Sequence, residues 1–149
     1  MPPNRQAALE KYRHAAATYD KGEVPAIQRA RRRAVRLLDL HSGDVVFDVG
    51  CGTGLSFPLI EEGIGAQGRI IGIDQSPEML VIAGRRVQTH RWRNVTLIES
   101  PVEEASISGH ADAVLFCFTH DLLQSRNALE NVWSGAFYFG WGVVERKLL

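Results

Sequence analysis

Two carboxylates and three glycines stand where they could hold a nucleoside. Val45-Val-Phe-Asp-Val49 is an apolar, β-branched run that predicts a buried strand, and it breaks into Gly50-Cys-Gly-Thr-Gly54. Leu55, Leu59 and Ile60 then continue at helical spacing. A strand, a glycine turn and a helix start expose bare backbone to a ligand. Glycine has no Cβ to block the approach and reaches φ > 0 without strain, while a helix start adds unpaired N–H groups and partial positive charge. A second apolar run, Arg69-Ile-Ile-Gly-Ile73, ends in Asp74, 20 residues beyond Gly54. In dinucleotide-binding βαβ units an acid at that spacing accepts hydrogen bonds from ribose hydroxyls, and the same geometry suits any adenosine-bearing ligand.

The glycines follow G-x-G-x-G, with Leu55 where a nicotinamide fingerprint needs its third glycine, which argues against that cofactor. Four segments in order, Val46–Gly54, Ile71–Leu80, Asn94–Ile98 and Ala111–Phe116, resemble the class I S-adenosylmethionine-dependent methyltransferases, in particular their quinone-biosynthesis and small-molecule branch. The likeness spans roughly residues 35–130. It implies S-adenosylmethionine as cofactor, bound by Asp48, Gly50, Cys51, Gly52, Thr53, Gly54, Asp74, Gln75, Val102 and Phe118. Pro101 takes the place where the family carries an acid for the adenine edge, leaving Glu99 or Glu103 to substitute. The Tyr19–Asp20 pair resembles the segment that often folds over the cofactor, with a plain surface helix as the alternative.

The elements that must position these residues follow from the rest of the chain. At 149 residues, 45% hydrophobic and 23% charged, it has the composition of one globular domain. Residues 1–26 read as an N-terminal segment, and residues 27–149 as a single Rossmann-like domain. Pro25 opens a predicted helix with Ile27, Ala30, Ala34, Leu37 and Leu38 inward and Arg29, Arg32, Arg33 and Arg36 outward. Ser76–Pro77 marks a helix start, as N-cap and first helical residue, with Met79, Leu80, Ile82, Ala83 and Val87 as inner face. Further strands are expected at Val95–Ile98, Ala111–Phe118 and Ala136–Val144, a helix at Leu122–Val132, and a turn at Ser134–Gly135. Right-handed crossovers then give a doubly wound parallel α/β sheet of order 3-2-1-4-5. The family's last two strands have no counterpart, so the chain reads as C-terminally truncated.

Function narrows accordingly. Zero net charge supplies no field toward nucleic acid or membrane, and no apolar run reaches the ~18 residues of a spanning helix. Cys51 and Cys117 are expected to be reduced and the protein cytoplasmic. The five histidines and two cysteines lack metal-ligand spacing, so no metal is expected. The leading expectation is methyl transfer to a small-molecule acceptor, for which no catalytic residue is required. His120, beside Asp121, reads either as a general base or as a structural histidine. The alternatives are a module that binds ligand only, or a glycosidase or esterase built on Asp48, Asp74, Glu99 and Glu103. Phe137, Tyr138, Phe139 and Trp141 on an expected sheet edge point to a homo-oligomer formed through residues 133–149.

Overall fold

A computed structural model describes residues 5–116 and 126–135. In chain order these form α1 (Arg5–Ala15), a 3-10 segment (Ala16–Gly22), α2 (Pro25–Leu37), β1 (Val45–Val49), α3 (Phe57–Ile64), β2 (Arg69–Asp74), α4 (Pro77–His90), β3 (Val95–Glu99), a 3-10 turn (Val102–Glu104), β4 (Ala113–Phe116) and α5 (Arg126–Gly135). The four strands are all parallel, in the order β3-β2-β1-β4. Register sets Asp48 opposite Gly72 and Leu115, and Asp74 opposite Glu99. The expected fifth strand at Ala136–Val144 lies outside the described residues, as do Cys117, Phe118, Thr119, His120 and Asp121.

Both faces of β1 are covered, which is why its sequence is apolar without alternation. One face packs Val46 with Phe57, Ile60, Ile64 and Leu80, and the other packs Phe47 and Val49 with Ile71, Ile73 and Val132. Ser76 caps α4 as its sequence predicts, its hydroxyl accepting from the Met79 N–H at 3.3 Å. Among the described residues no helix is long and apolar enough to cross a membrane.

Four local expectations change. On α2 the buried residues are Ala34 and Val35, followed by Leu38, while Ile27 and Leu37 are 37% and 46% exposed. The core-facing row therefore begins at Arg31, a position that a basic run disguises as solvent-facing. Leu55 belongs to the turn rather than the helix, since α3 starts at Phe57. The fourth strand starts at Ala113 rather than Ala111: Asp112 instead braces the start of β1, its N–H donating to the Val45 carbonyl and its Oδ2 accepting from the Val45 N–H, both at 2.8 Å. At the far end α5 runs through Ser134 and Gly135, where a turn was expected, a shift of the size common at helix ends.

Gly72, in the middle of β2, is there for space. A Cβ built on it would stand 2.8 Å from Phe57 Cζ, 3.0 Å from Cys51 Sγ and 3.1 Å from Leu97 Cδ2. Gly84, on α4, would place its Cβ no nearer than 3.9 Å, to Leu97 Cδ1. Gly72→Ala is expected to cost about 1–3 kcal/mol through overpacking, whereas Gly84→Ala is expected to stabilise by roughly 0.5–1 kcal/mol through helix propensity. Urea unfolding of the two variants checks this; equal effects would contradict the packing behind the turn.

Candidate functional site

The carboxyl ends of β1 and β2 meet around the glycine turn. Gly50 and Cys51 N–H groups both donate to the Ile73 carbonyl, at 2.7 and 3.0 Å, tying the turn to the last core residue of β2. The turn then runs through left-handed backbone, with φ of 55° at Gly52 and 77° at Gly54. At Gly54 a side chain is also excluded by Phe57, whose ring atoms would lie 2.6 Å from a Cβ. At Gly52 a Cβ would meet nothing within 4 Å, so the missing side chain leaves open room beside the backbone.

Asp74 holds this turn from the neighbouring strand. Its Oδ2 accepts from the Gly52 N–H at 2.9 Å and its Oδ1 from the Ser76 N–H at 2.8 Å. One carboxylate thus joins the glycine turn to the start of α4, and Gln75 lies half-buried between. Burial raises the Asp74 pKa, against the lowering effect of the Ser76, Gly52 and Gln75 amides.

Asp48 sits beneath the turn, 1% exposed, and its Oδ2 has no hydrogen-bond partner among the described residues. Burial pushes its pKa up to about 7; the Arg31 charge lowers it and Asp74 raises it. Burial, reinforced by Asp48 and Asp74, also holds the Cys51 thiol well above its ordinary range. A thiol so disfavoured as thiolate is a packing residue, not a nucleophile.

The turn is also gripped from the N-terminal side, through residues that sequence reasoning largely missed. Thr53 Oγ1 donates to Asp20 Oδ1 at 2.6 Å, and Arg86 pairs with Asp20 Oδ2 at 2.5 Å while its Nε donates to the Thr53 carbonyl at 3.0 Å. Three residues after Asp20, Glu23 forms an ion pair with Arg31, their side chains only 10% and 11% exposed. Arg31 Nη1 also donates to Ser56 Oγ at 3.3 Å, so Ser56 is used here rather than as a side-chain cap for α3. Removing one partner of such a buried pair costs about 3–5 kcal/mol, because the other charge is left uncompensated. The Tyr19–Asp20 pair was the one available signal; Arg86 and Arg31 look like ordinary helix-surface arginines.

The remaining expected site residues are placed less centrally. Val102 comes to the same end of the sheet, but its side chain is 3% exposed and packs with Val49, Ile73 and Phe116. Its carbonyl accepts from Asn131 Nδ2 at 2.5 Å, which docks α5 against the turn after β3. Glu99 is exposed and Glu103 half-buried. Phe118 lies outside the described residues. Among the described residues, no group of three or more His, Cys, Asp or Glu side chains is arranged to hold a metal ion.

Comparison with known proteins bears on this arrangement. The chain is 30% identical over 100 residues to aklanonic acid methyltransferase of Streptomyces sp. (strain C5), covering 66% of this chain and 45% of that protein. It is 32% identical over 68 residues to demethylmenaquinone methyltransferase of Shouchella clausii, covering 46% of this chain and 29% of the relative. The chain therefore spans less than half the length of these curated relatives. A solved SAM-dependent methyltransferase from Aquifex aeolicus superposes with a TM-score of 0.66 over 81% of this chain and 66% of its own, at 22% identity, a likeness of fold. Residues 46–135 match the family described as "Methyltransferase domain", and with that span, the parallel sheet and the glycine turn in hand, the chain belongs to the class I S-adenosylmethionine-dependent methyltransferases, whose cofactor is S-adenosylmethionine.

Proposed function

We propose that this domain binds S-adenosylmethionine at the glycine turn and transfers its methyl group to a small-molecule acceptor. The observation that carries this reading is the meeting of an open glycine backbone, at Gly52, with the half-buried Asp74 and the buried Asp48, at the carboxyl ends of adjacent strands. The residues fit the cofactor. Room beside Gly52 admits a ligand against the backbone, and the unpartnered Asp48 oxygen is a buried acceptor that a cationic ligand would compensate.

Bound at this turn, S-adenosylmethionine would supply an electrophilic methyl group on a positively charged sulfur. The chain's own work is binding, orientation and exclusion of water. Each Asp74 oxygen accepts one backbone N–H and keeps capacity for a ribose hydroxyl. Gly50, Cys51, Thr53, Gly54 and Gln75 shape the cradle, and Val102 and Phe118 complete the reading at the adenine end. A small-molecule acceptor is supported by the names of the aklanonic acid and demethylmenaquinone relatives and by zero net charge. The same reading includes cytoplasmic operation, with Cys51 a free thiol, and self-association through residues 133–149, supported by the aromatic run Phe137–Phe139 and Trp141. Nothing favours the hydrolytic alternative: Asp74 is held in place by two backbone amides as a structural bridge, and Glu99 is exposed.

Calorimetric titration of the full chain with S-adenosylhomocysteine tests the assignment. Asp74→Ala is expected to weaken binding by about ten- to a few hundredfold, from the loss of one or more charged hydrogen bonds. Asp74→Asn, which keeps the shape, is expected to weaken it less. A wild type that does not bind, or an alanine variant that binds equally well, would reject the site.

Asp48 makes a separate expectation about pH. Its folded pKa of about 7 lies above the ordinary 3.8, so the folded state retains a proton that the unfolded chain gives up. The stability this contributes is present at low pH, is lost as pH rises from about 4 to about 7, and changes no further above that. Asp48→Asn lacks the ionisation. Melting temperatures measured without ligand across this range are therefore expected to decline more steeply for the wild type than for Asp48→Asn; parallel profiles would contradict a buried, unpartnered Asp48.

A further inference from the structure

The N-terminal 3-10 segment is attached to the glycine turn at two points three residues apart on each chain. Asp20 reaches Thr53, and Glu23, through Arg31, reaches Ser56; Gly54 lies between the two anchors. Neither attachment is a general packing contact. Asp20 uses both oxygens, one for the Thr53 hydroxyl and one for Arg86, and Arg86 returns to the Thr53 carbonyl. The three groups close a ring around a single peptide of the turn. Thr53 is 1% exposed and Arg86 half-buried, so this ring is shielded from the solvent that weakens surface ion pairs. Meanwhile Gly52, the next residue back, is fixed by Asp74 from the opposite side.

We propose that Asp20 and Arg86 are positioning residues for the cofactor: through Thr53 they lock the conformation of Gly52–Gly54, and they make docking of residues 16–24 part of ligand binding. A left-handed turn between two independently fixed ends cannot relax without breaking the Asp74 contact or the Asp20–Arg86 contact. The free energy that holds the segment down is therefore shared with the free energy that keeps the cradle shaped, and each favours the other. The inference rests on the cofactor reading above and adds to it a dependence on groups outside the glycine turn and the β2 acid.

The test uses the full chain, S-adenosylhomocysteine as probe, and two readouts. Calorimetry is run on the wild type, Asp20→Asn, Thr53→Val, Thr53→Ser and the Asp20→Asn/Thr53→Val double variant. Trypsin cleavage after the exposed Lys21 is followed with and without ligand. Asp20→Asn and Thr53→Val are each expected to weaken binding by about tenfold, the double variant by little more than either, and Thr53→Ser to recover most of the loss. Ligand is expected to protect Lys21 from trypsin in the wild type and to lose that effect in Asp20→Asn. If the wild type binds while Asp20→Asn and Thr53→Val match it in affinity and protection, the coupling is wrong and the cofactor reading stands. If the wild type does not bind, the cofactor reading itself falls and takes the coupling with it. Should Asp20→Asn fail to fold, the Thr53→Val and Thr53→Ser pair alone decides: equal affinities overturn the proposal.

Discussion

The bridge made by one carboxylate, from Asp74 to the amides of Gly52 and Ser76, is the contact on which the site depends. It reaches back 22 residues to the turn after β1 and forward two residues to the N-cap of α4. A bridge of this kind needs a charge in a half-buried place. Burial raises the pKa of Asp74 and three backbone amides oppose the rise, so desolvation and hydrogen bonding are set against each other at one group. A ligand hydroxyl finding the same carboxylate meets an acceptor already oriented, and less rotamer freedom is lost on binding.

The remaining features serve that geometry. Gly72 lets Phe57 and Cys51 crowd against β2 behind the turn, and Phe57 in turn leaves no room for a side chain at Gly54. Ile73 receives two amides of the turn on its carbonyl, so the last core residue of β2 and the acid after it hold the turn together. Asp48 supplies the opposite character: a buried carboxyl whose Oδ2 has no hydrogen-bond partner among the described residues, costly to the free protein. The N-terminal segment adds Asp20 and Glu23, two acids whose arginine partners come from helices on either side of the glycine turn in sequence.

Much of this was legible in the sequence because periodicity and glycine spacing report backbone requirements directly. The apolar run before Gly50, the acid at the end of β2 and the Ser76–Pro77 helix start have local causes, and each fell where expected. Arg31 and Arg86 were not legible. Arg31 opens a run of three arginines and Arg86 is one of an adjacent pair, and what sets each apart from its neighbours is a partner, Glu23 or Asp20, that no periodicity encodes. The exposure of Ile27, Ala30 and Leu37 goes with it, since the face of α2 toward the core runs through Arg31, Ala34, Val35 and Leu38 rather than through the expected row. Val102 falls in the 3-10 turn after β3, and its burial among Val49, Ile73 and Phe116 comes from tertiary packing.

The central claim is one of place: a nucleoside-bearing cofactor sits on the glycine turn between β1 and β2. Amide hydrogen exchange of the full chain, compared with and without S-adenosylhomocysteine, tests it most directly because it reports where the backbone becomes protected. Slowed exchange is expected in peptides covering Gly50–Ser56 and Asp74–Met79, with a smaller effect over residues 16–24. Unchanged exchange over the first two segments, or protection confined to other parts of the chain, would contradict it.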